Sequence, residues 1–218
     1  MIELDGISKA YTLKGVKKVL FQDLSFTFPT GRNVAIMGAN GAGKSTLMKM
    51  IAGSEMPDSG RVLRHGRISW PLGFTGGFNG TMTGLENVRF VSRIYGQDTE
   101  RVIEQVQDFA ELGPSLKLPI KTYSSGMRAR LAFGLSMAID FDCYLIDEIT
   151  AVGDENFRKK SEQVFKEKLA RSQIIMISHS HATIRSYCDC GLLLTKDGIF
   201  FHDDVDSLLV AYKKVLGG

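Results

Sequence analysis

Val34-Ala35-Ile36-Met37-Gly38-Ala39-Asn40-Gly41-Ala42-Gly43-Lys44-Ser45-Thr46-Leu47-Met48 is the stretch that decides the fold. Its four leading apolar residues, without polar alternation, read as a strand buried on both faces. From Ser45 the spacing of Leu47, Met48 and Ile51 is helical and stops near Gly53. Between strand and helix stands Gly38-x-x-x-x-Gly43-Lys44-Ser45, the complete phosphate-loop pattern. Its glycines let the backbone curl so that N–H groups point inward at phosphate oxygens, and the helix that follows adds its positive end. Lys44 is placed to reach β- and γ-phosphates, and the Ser45 hydroxyl to take a position on Mg²⁺. Gly38, Ala39, Asn40, Gly41, Ala42, Gly43, Lys44, Ser45 and Thr46 are therefore the candidate nucleotide-phosphate site. The competing reading is a glycine-rich turn that binds nothing, and it leaves the flanking strand and helix unexplained.

Outward from the loop, Cys143-Tyr144-Leu145-Ile146-Asp147-Glu148 is an apolar strand ending in two carboxylates. Charges at the end of a buried strand need a partner or water. Asp147 suits the acidic partner of Ser45 on Mg²⁺, and Glu148 suits the base that deprotonates an attacking water. Taken alone, the pair also reads as an acidic cap on the next helix. A glutamate directly after the aspartate favours a hydrolase over a small-molecule kinase, and no Asn-Lys-x-Asp string is present to read guanine. Tyr123-Ser124-Ser125-Gly126-Met127 precedes a helix read over Met127 to Ile139. It is either a plain N-cap or a second anion site.

The remaining pattern frames these motifs. Ile2 to Ile7 and Leu24 to Phe28 read as half-buried strands, and Pro57 to Gly60 as a turn. Residues from about Gly84 to Asp140 are mainly helical; strands return at Tyr144 to Ile146, Ile174 to Ile177 and Leu192 to Leu194, with a hairpin turn at Lys196-Asp197-Gly198. Helices between the later strands predict βαβ units and a parallel sheet. The chain of 218 residues is about one and a half average domains, matching a core built from both chain ends and a helical insert at roughly 85 to 140. With 44% hydrophobic and 23% charged residues the composition is globular. A net charge of +3 is too small to argue for nucleic acid. Three cysteines make no disulfide framework, so reduced thiols are expected; Cys188 and Cys190 lack the neighbours of a zinc site. No apolar run reaches 18 residues and the N-terminus lacks the order of a signal peptide, which predicts a soluble protein on the cytosolic side.

Taken in order, Gly38 to Thr46, Tyr123 to Met127, Cys143 to Glu148 and Ile177-Ser178-His179 resemble the ATP-binding subunits of ABC transporters over essentially the whole chain. Ser69 to Gly73, Thr122 to Leu135 and Phe141 to Asp154 narrow the resemblance to the ATP-binding subunits of bacterial capsular polysaccharide exporters. The resemblance implies one α/β domain over 1–218: a P-loop core (about 1–84 and 141–218) with an N-terminal antiparallel β part, and a helical sub-domain (about 85–140). It implies that Tyr11 stacks on adenine, the alternative being a surface tyrosine near a strand end. His179 becomes the switch histidine, with a capped strand end as its alternative and His181 as competitor. Ser124, Ser125, Gly126 and Met127 become the signature contacting ATP held by a second copy, and Asp154 lies in the loop at that dimer interface.

Implied cofactors are ATP and Mg²⁺. Implied partners are a second copy of the chain and a transmembrane permease, which brings it to the cytoplasmic face of the inner membrane; nucleic acid is not among them. Two departures stand out: Ser125 and Met127 in the signature, and no glutamine between Gln22 and Gln97, so that Gly73 falls where the family places one. The surrounding loop, read as Trp70 to Gly80, carries Phe74 and Phe78, which suit docking of a permease helix or core packing. Lys14, Lys17, Lys18 and Arg158 to Lys160 read as solvated faces or as faces toward anionic lipid. Another cargo, a soluble ATPase or an ATP-gated module with little turnover are the alternative functions.

Overall fold

The computed structural model describes residues 1–13, 15–72, 77–147, 155–196 and 198–217. In chain order these form β1 (Ile2–Leu13), β2 (Val16–Thr27), β3 (Val34–Gly38), α1 (Lys44–Ala52), β4 (Ser59–Arg64), β5 (Ile68–Pro71), α2 (Gly84–Ile94) and α3 (Thr99–Ala110). Then come α4 (Ser125–Ala138), β6 (Cys143–Asp147), α5 (Glu155–Leu169), β7 (Gln173–Ile177), α6 (His181–Tyr187), β8 (Cys190–Thr195), β9 (Gly198–His202) and α7 (Val205–Gly217). The chain divides into two compact units. One comprises Met1–Pro71, Asp142–Glu148 and Ser172–Gly218, the other Leu72–Phe141 and Ile149–Arg171. The helical unit thus begins at Leu72, before the position near 85 expected from sequence, and takes in α5 as well.

The first unit holds two sheets. A three-stranded antiparallel sheet runs β2-β1-β4, and a six-stranded sheet runs β5-β6-β7-β3-β8-β9. All neighbours in the larger sheet pair in parallel except the β8–β9 hairpin. Its central strands are the near-continuous apolar runs that burial on both faces demands: every residue of β3 is buried, and Ile174 to Ile177 of β7 likewise. α1 brings Leu47, Met48, Met50 and Ile51 into one core with Ile2, Leu4 and Ile7 of β1, Phe21 of β2 and Ile36 of β3. Gly53, left-handed at φ 79°, ends that helix.

Three local readings from sequence are corrected. β1 and β2 are each 12 residues long, well beyond the short strands expected at Ile2 to Ile7 and Leu24 to Phe28, because Val16 to Val19 pair with the end of β1 while exposed to solvent. Solvated strand residues leave no alternation to read. Trp70 does not belong to a loop: it lies in β5, where Pro71 pairs with Leu145 at the edge of the sheet, the place a strand tolerates proline. Lys160 is not simply solvated. Its ammonium donates to the Asp108 carbonyl at 2.8 Å and to Glu111 at 2.5 Å, capping the end of α3.

The second unit is built from capped helices. Thr83 and Glu86 form a reciprocal capping box on α2, and Asp98 caps α3. Phe109 and Phe133 stack at 5.5 Å, Phe157 of α5 meets Phe109 edge-on at 5.2 Å, and Arg130 lies 4.6 Å from the Phe157 ring centre. Among the described residues no helix is long and apolar enough to cross a membrane.

Candidate nucleotide site

In a parallel sheet, ligands bind beyond the carboxyl ends of the strands. β3 ends at Gly38, and the loop from Ala39 to Gly43 leads straight into α1. Two of its glycines are required by space. A methyl group on Gly38 would lie 2.5 Å from the Leu194 carbonyl oxygen, because β3 pairs there with β8. At Gly43 it would lie 2.7 Å from Cζ of Phe21, and Gly43 also holds φ at 98°. As the N-cap of α1, Gly43 offers no side chain to the first-turn amides. Those N–H groups lack intrahelical partners and face a site suited to an anion. The Lys44 ammonium donates to the carbonyls of Gly38 (2.8 Å) and Ala39 (3.1 Å), so the cation is already stationed on the loop.

A cleft of about 420 Å³ opens over this loop. Asn40, Gly41, Gly43, Lys44, Ser45 and Thr46 form its floor, while Asp147, Ile177 and His179 come from the strand ends beside it. β6 and β7 are in register with Asp147 opposite Ile177, which is why Asp147 and a histidine two residues past Ile177 reach one place. His181 opens α6 and sits edge-on to Tyr212 at 6.1 Å, so of the two histidines His179 is the one that lines the cleft. Tyr11, Lys18 and Leu20 of the antiparallel sheet complete the wall.

Sequence reading missed what stands behind Tyr11. Lys9 is only 8% exposed, and its ammonium meets Glu55 at 2.5 Å, Asp58 at 3.5 Å and the Met56 carbonyl at 2.8 Å. The same ammonium lies 5.3 Å from the Tyr11 ring centre. Glu55 is held below the usual carboxylate range, chiefly by its hydrogen bond from Lys9, and Lys9 is raised above the usual lysine value by Glu55. Asp58 is lowered too, first by the Ala10 N–H that donates to it at 2.7 Å. These partners are over forty residues from Lys9, and no local pattern announces them.

In the helical unit, Ser124 caps α4 and its hydroxyl accepts from the Met127 N–H at 3.2 Å. Ser124, Ser125 and Gly126 are exposed and Met127 is half-buried, while the Tyr123 hydroxyl donates to the Ser115 carbonyl at 2.6 Å. Capping, one of the two readings of this segment, is thus observed. Phe78 is half-buried. Glu148, Asp154, Phe74 and Gly73 lie outside the described residues.

The ABC transporter family model matches residues 21–151. Over 99% of its length the chain is 48% identical to the polysialic acid transport ATP-binding protein KpsT of Escherichia coli, covering 100% of that protein. The chain belongs to the ABC transporter family. This ABC ATPase is also 44% identical to the capsule polysaccharide export ATP-binding protein CtrD of Neisseria meningitidis, over 99% of this chain and 100% of that one. In fold it matches an ATP-binding cassette solved as a dimer in a post-hydrolysis state with ADP and Pi, at a TM-score of 0.73 and 19% identity, over 94% of this chain and 99% of that one.

ATP binding follows from the family, and the donor set fits Mg²⁺ beside it. Ser45, in the first turn of α1, and the half-buried Asp147 line the same cleft. A hydroxyl and a carboxylate are hard oxygen donors, and Mg²⁺ is ordinarily held by one or two such groups together with substrate phosphates and water.

Proposed function

We propose that this ABC ATPase works as a pair of identical copies that hydrolyse ATP to drive export of a capsular polysaccharide through a separate permease. It would act at the cytoplasmic face of the inner membrane, held there by that permease. The observation that carries the proposal is full-length likeness, above 40%, to proteins named for polysialic acid transport and capsule polysaccharide export, joined to a cleft that gathers the phosphate loop, Asp147, His179 and Tyr11.

In this reading adenine stacks on Tyr11, whose ring has the Lys9 ammonium beside it. Lys44 exchanges the Gly38 and Ala39 carbonyls for phosphate oxygens, because charge-assisted bonds to an anion are the stronger ones. Ser45 and Asp147 would hold Mg²⁺, which would supply positive charge beside the nucleotide phosphates. Glu148 takes the proton of the attacking water, and His179 and Lys44 donate to the γ-phosphate as charge develops. Ser124, Ser125, Gly126 and Met127 contact the ATP of the second copy, Asp154 lies at the interface between copies, and Phe74 and Phe78 meet the permease. Each site then needs both chains.

The test is surface polysaccharide on cells lacking the gene, with wild type or Glu148→Gln restored. Loss of surface polymer with accumulation inside, rescued only by wild type, is the expected result. Unchanged surface polymer would refute the cargo, and rescue by Glu148→Gln would refute the need for hydrolysis.

A further inference from the structure

Of the basic run Lys14, Lys17 and Lys18, residues 17 and 18 are described, and of these two Lys18 lines the cleft. The register of the β1–β2 ribbon explains why. Lys18 pairs directly with Tyr11, whereas Lys17 pairs with Thr12 and so projects to the opposite face. Directly opposed residues hold their Cβ atoms about 5 Å apart on one face. Tyr11 and Lys18 therefore leave the ribbon side by side. The Lys18 stem then crosses to the phosphate loop, where its ammonium donates to the Gly41 carbonyl at 3.1 Å. An ammonium has three donors. Here one is spent on a neutral carbonyl, and no carboxylate among the described residues pairs with it.

A fixed cation thus spans the gap between the aromatic ring at one end of the cleft and the phosphate loop at the other. In a nucleotide stretched between those two points, that gap holds the ribose and the α-phosphate. We propose that Lys18 anchors ATP and ADP alike by a charge-assisted bond at the α-phosphate end, as a binding residue distinct from those that act on the γ-phosphate. This rests on the ATPase reading above.

Calorimetric titration of the isolated full chain with ATP and with ADP tests it, comparing wild type, Lys18→Met and Lys18→Arg. Lys18→Met is expected to weaken both nucleotides by the same factor, about tenfold, and to flatten the salt dependence of both. Lys18→Arg should stay within about threefold of wild type, and the melting temperature without nucleotide should not move. Unchanged ADP affinity in Lys18→Met would overturn the proposal, whether or not ATP is weakened. A lower nucleotide-free melting temperature with unaltered affinities would make Lys18 a brace for Gly41 and also overturn it. Failure of wild type to bind either nucleotide would remove the ATPase reading and this assignment together; a failure confined to the Lys18 comparison leaves that reading standing.

Discussion

Gly43→Ala measures how tightly the loop after β3 is packed against the antiparallel sheet. Two costs follow from the geometry. Gly43 holds φ at 98°, and forcing an L-residue there costs about 1–2 kcal/mol. The new methyl would lie 2.7 Å from Phe21 Cζ, where carbon atoms prefer 3.5 Å or more, so a ring only 6% exposed must back into the core. Overpacking of that kind costs about 1–3 kcal/mol. The sum, about 2–5 kcal/mol, is a large share of the roughly 5–15 kcal/mol that stabilises a domain. Phe21→Leu alone should cost about 1 kcal/mol, yet it withdraws the very atoms that clash. The double variant should therefore be more stable than additivity predicts by the overpacking it relieves, about 1–3 kcal/mol, leaving only the backbone strain and the lost ring. Urea unfolding followed by fluorescence of Trp70, the single tryptophan and a residue of the same unit, measures each corner of the cycle. A loss below about 0.5 kcal/mol for Gly43→Ala would refute the reasoning, as would strict additivity of the pair. Gly38→Ala supplies the contrast: its methyl would meet a backbone oxygen fixed by the β3–β8 ladder, which no trimming of the Leu194 side chain can move.

Ser124→Ala should cost about 1 kcal/mol of stability through loss of the α4 cap, and Ser124→Asp should restore it; if the Ser124 hydroxyl also meets the second copy's ATP, phosphate release stays low in both, and full activity in Ser124→Asp would show that only the cap matters. For the ion pair behind Tyr11, the stability gap between wild type and Glu55→Gln should be complete above about pH 4.3 and shrink below it, because a carboxylate held down in the folded state loses its advantage on protonation. The Lys9→Met gap should persist to about pH 10.4 and shrink above that, since a raised lysine contributes only while protonated in the fold; denaturant titrations across pH measure both, and gaps that do not change with pH would refute the pairing. Burial pushes the Cys143 and Cys188 thiols up to about 12 and raises Cys190. Maleimide at pH 7.5 should therefore label native protein slowly and all three cysteines quickly in denaturant, and fast native labelling would contradict the burial.

The elements that were read correctly from sequence share a physical character. β3, β6 and β7 are buried on both faces, so their apolar runs stand out in any window. α1 and α4 start at residues whose chemistry marks a helix end. The elements misjudged have no such local mark. β2 begins on the solvated residues Val16 to Val19, and β5 is four residues long and contains a proline. Lys18 looked like one charge of a solvated run, and only its pairing with Tyr11 turns it toward the loop. Lys9 gave no sign of being buried, because the carboxylates that make burial affordable come from the turn after α1.

By itself the sequence determined the loop pattern from Gly38 to Ser45, the strand ending in Asp147 and the βαβ order, because each is a short-range pattern in which backbone geometry and burial dictate the residue type. The tertiary structure alone decided which side chains share the cleft. Bringing Tyr11, Lys18, Lys44, Asp147 and His179 to one place depends on strand order and register, 2-1-4 in one sheet and 5-6-7-3-8-9 in the other. Register is set by the packing of the whole core, since shifting a strand by one residue would turn every side chain to the opposite face; that information is spread over the chain and resides in no single motif.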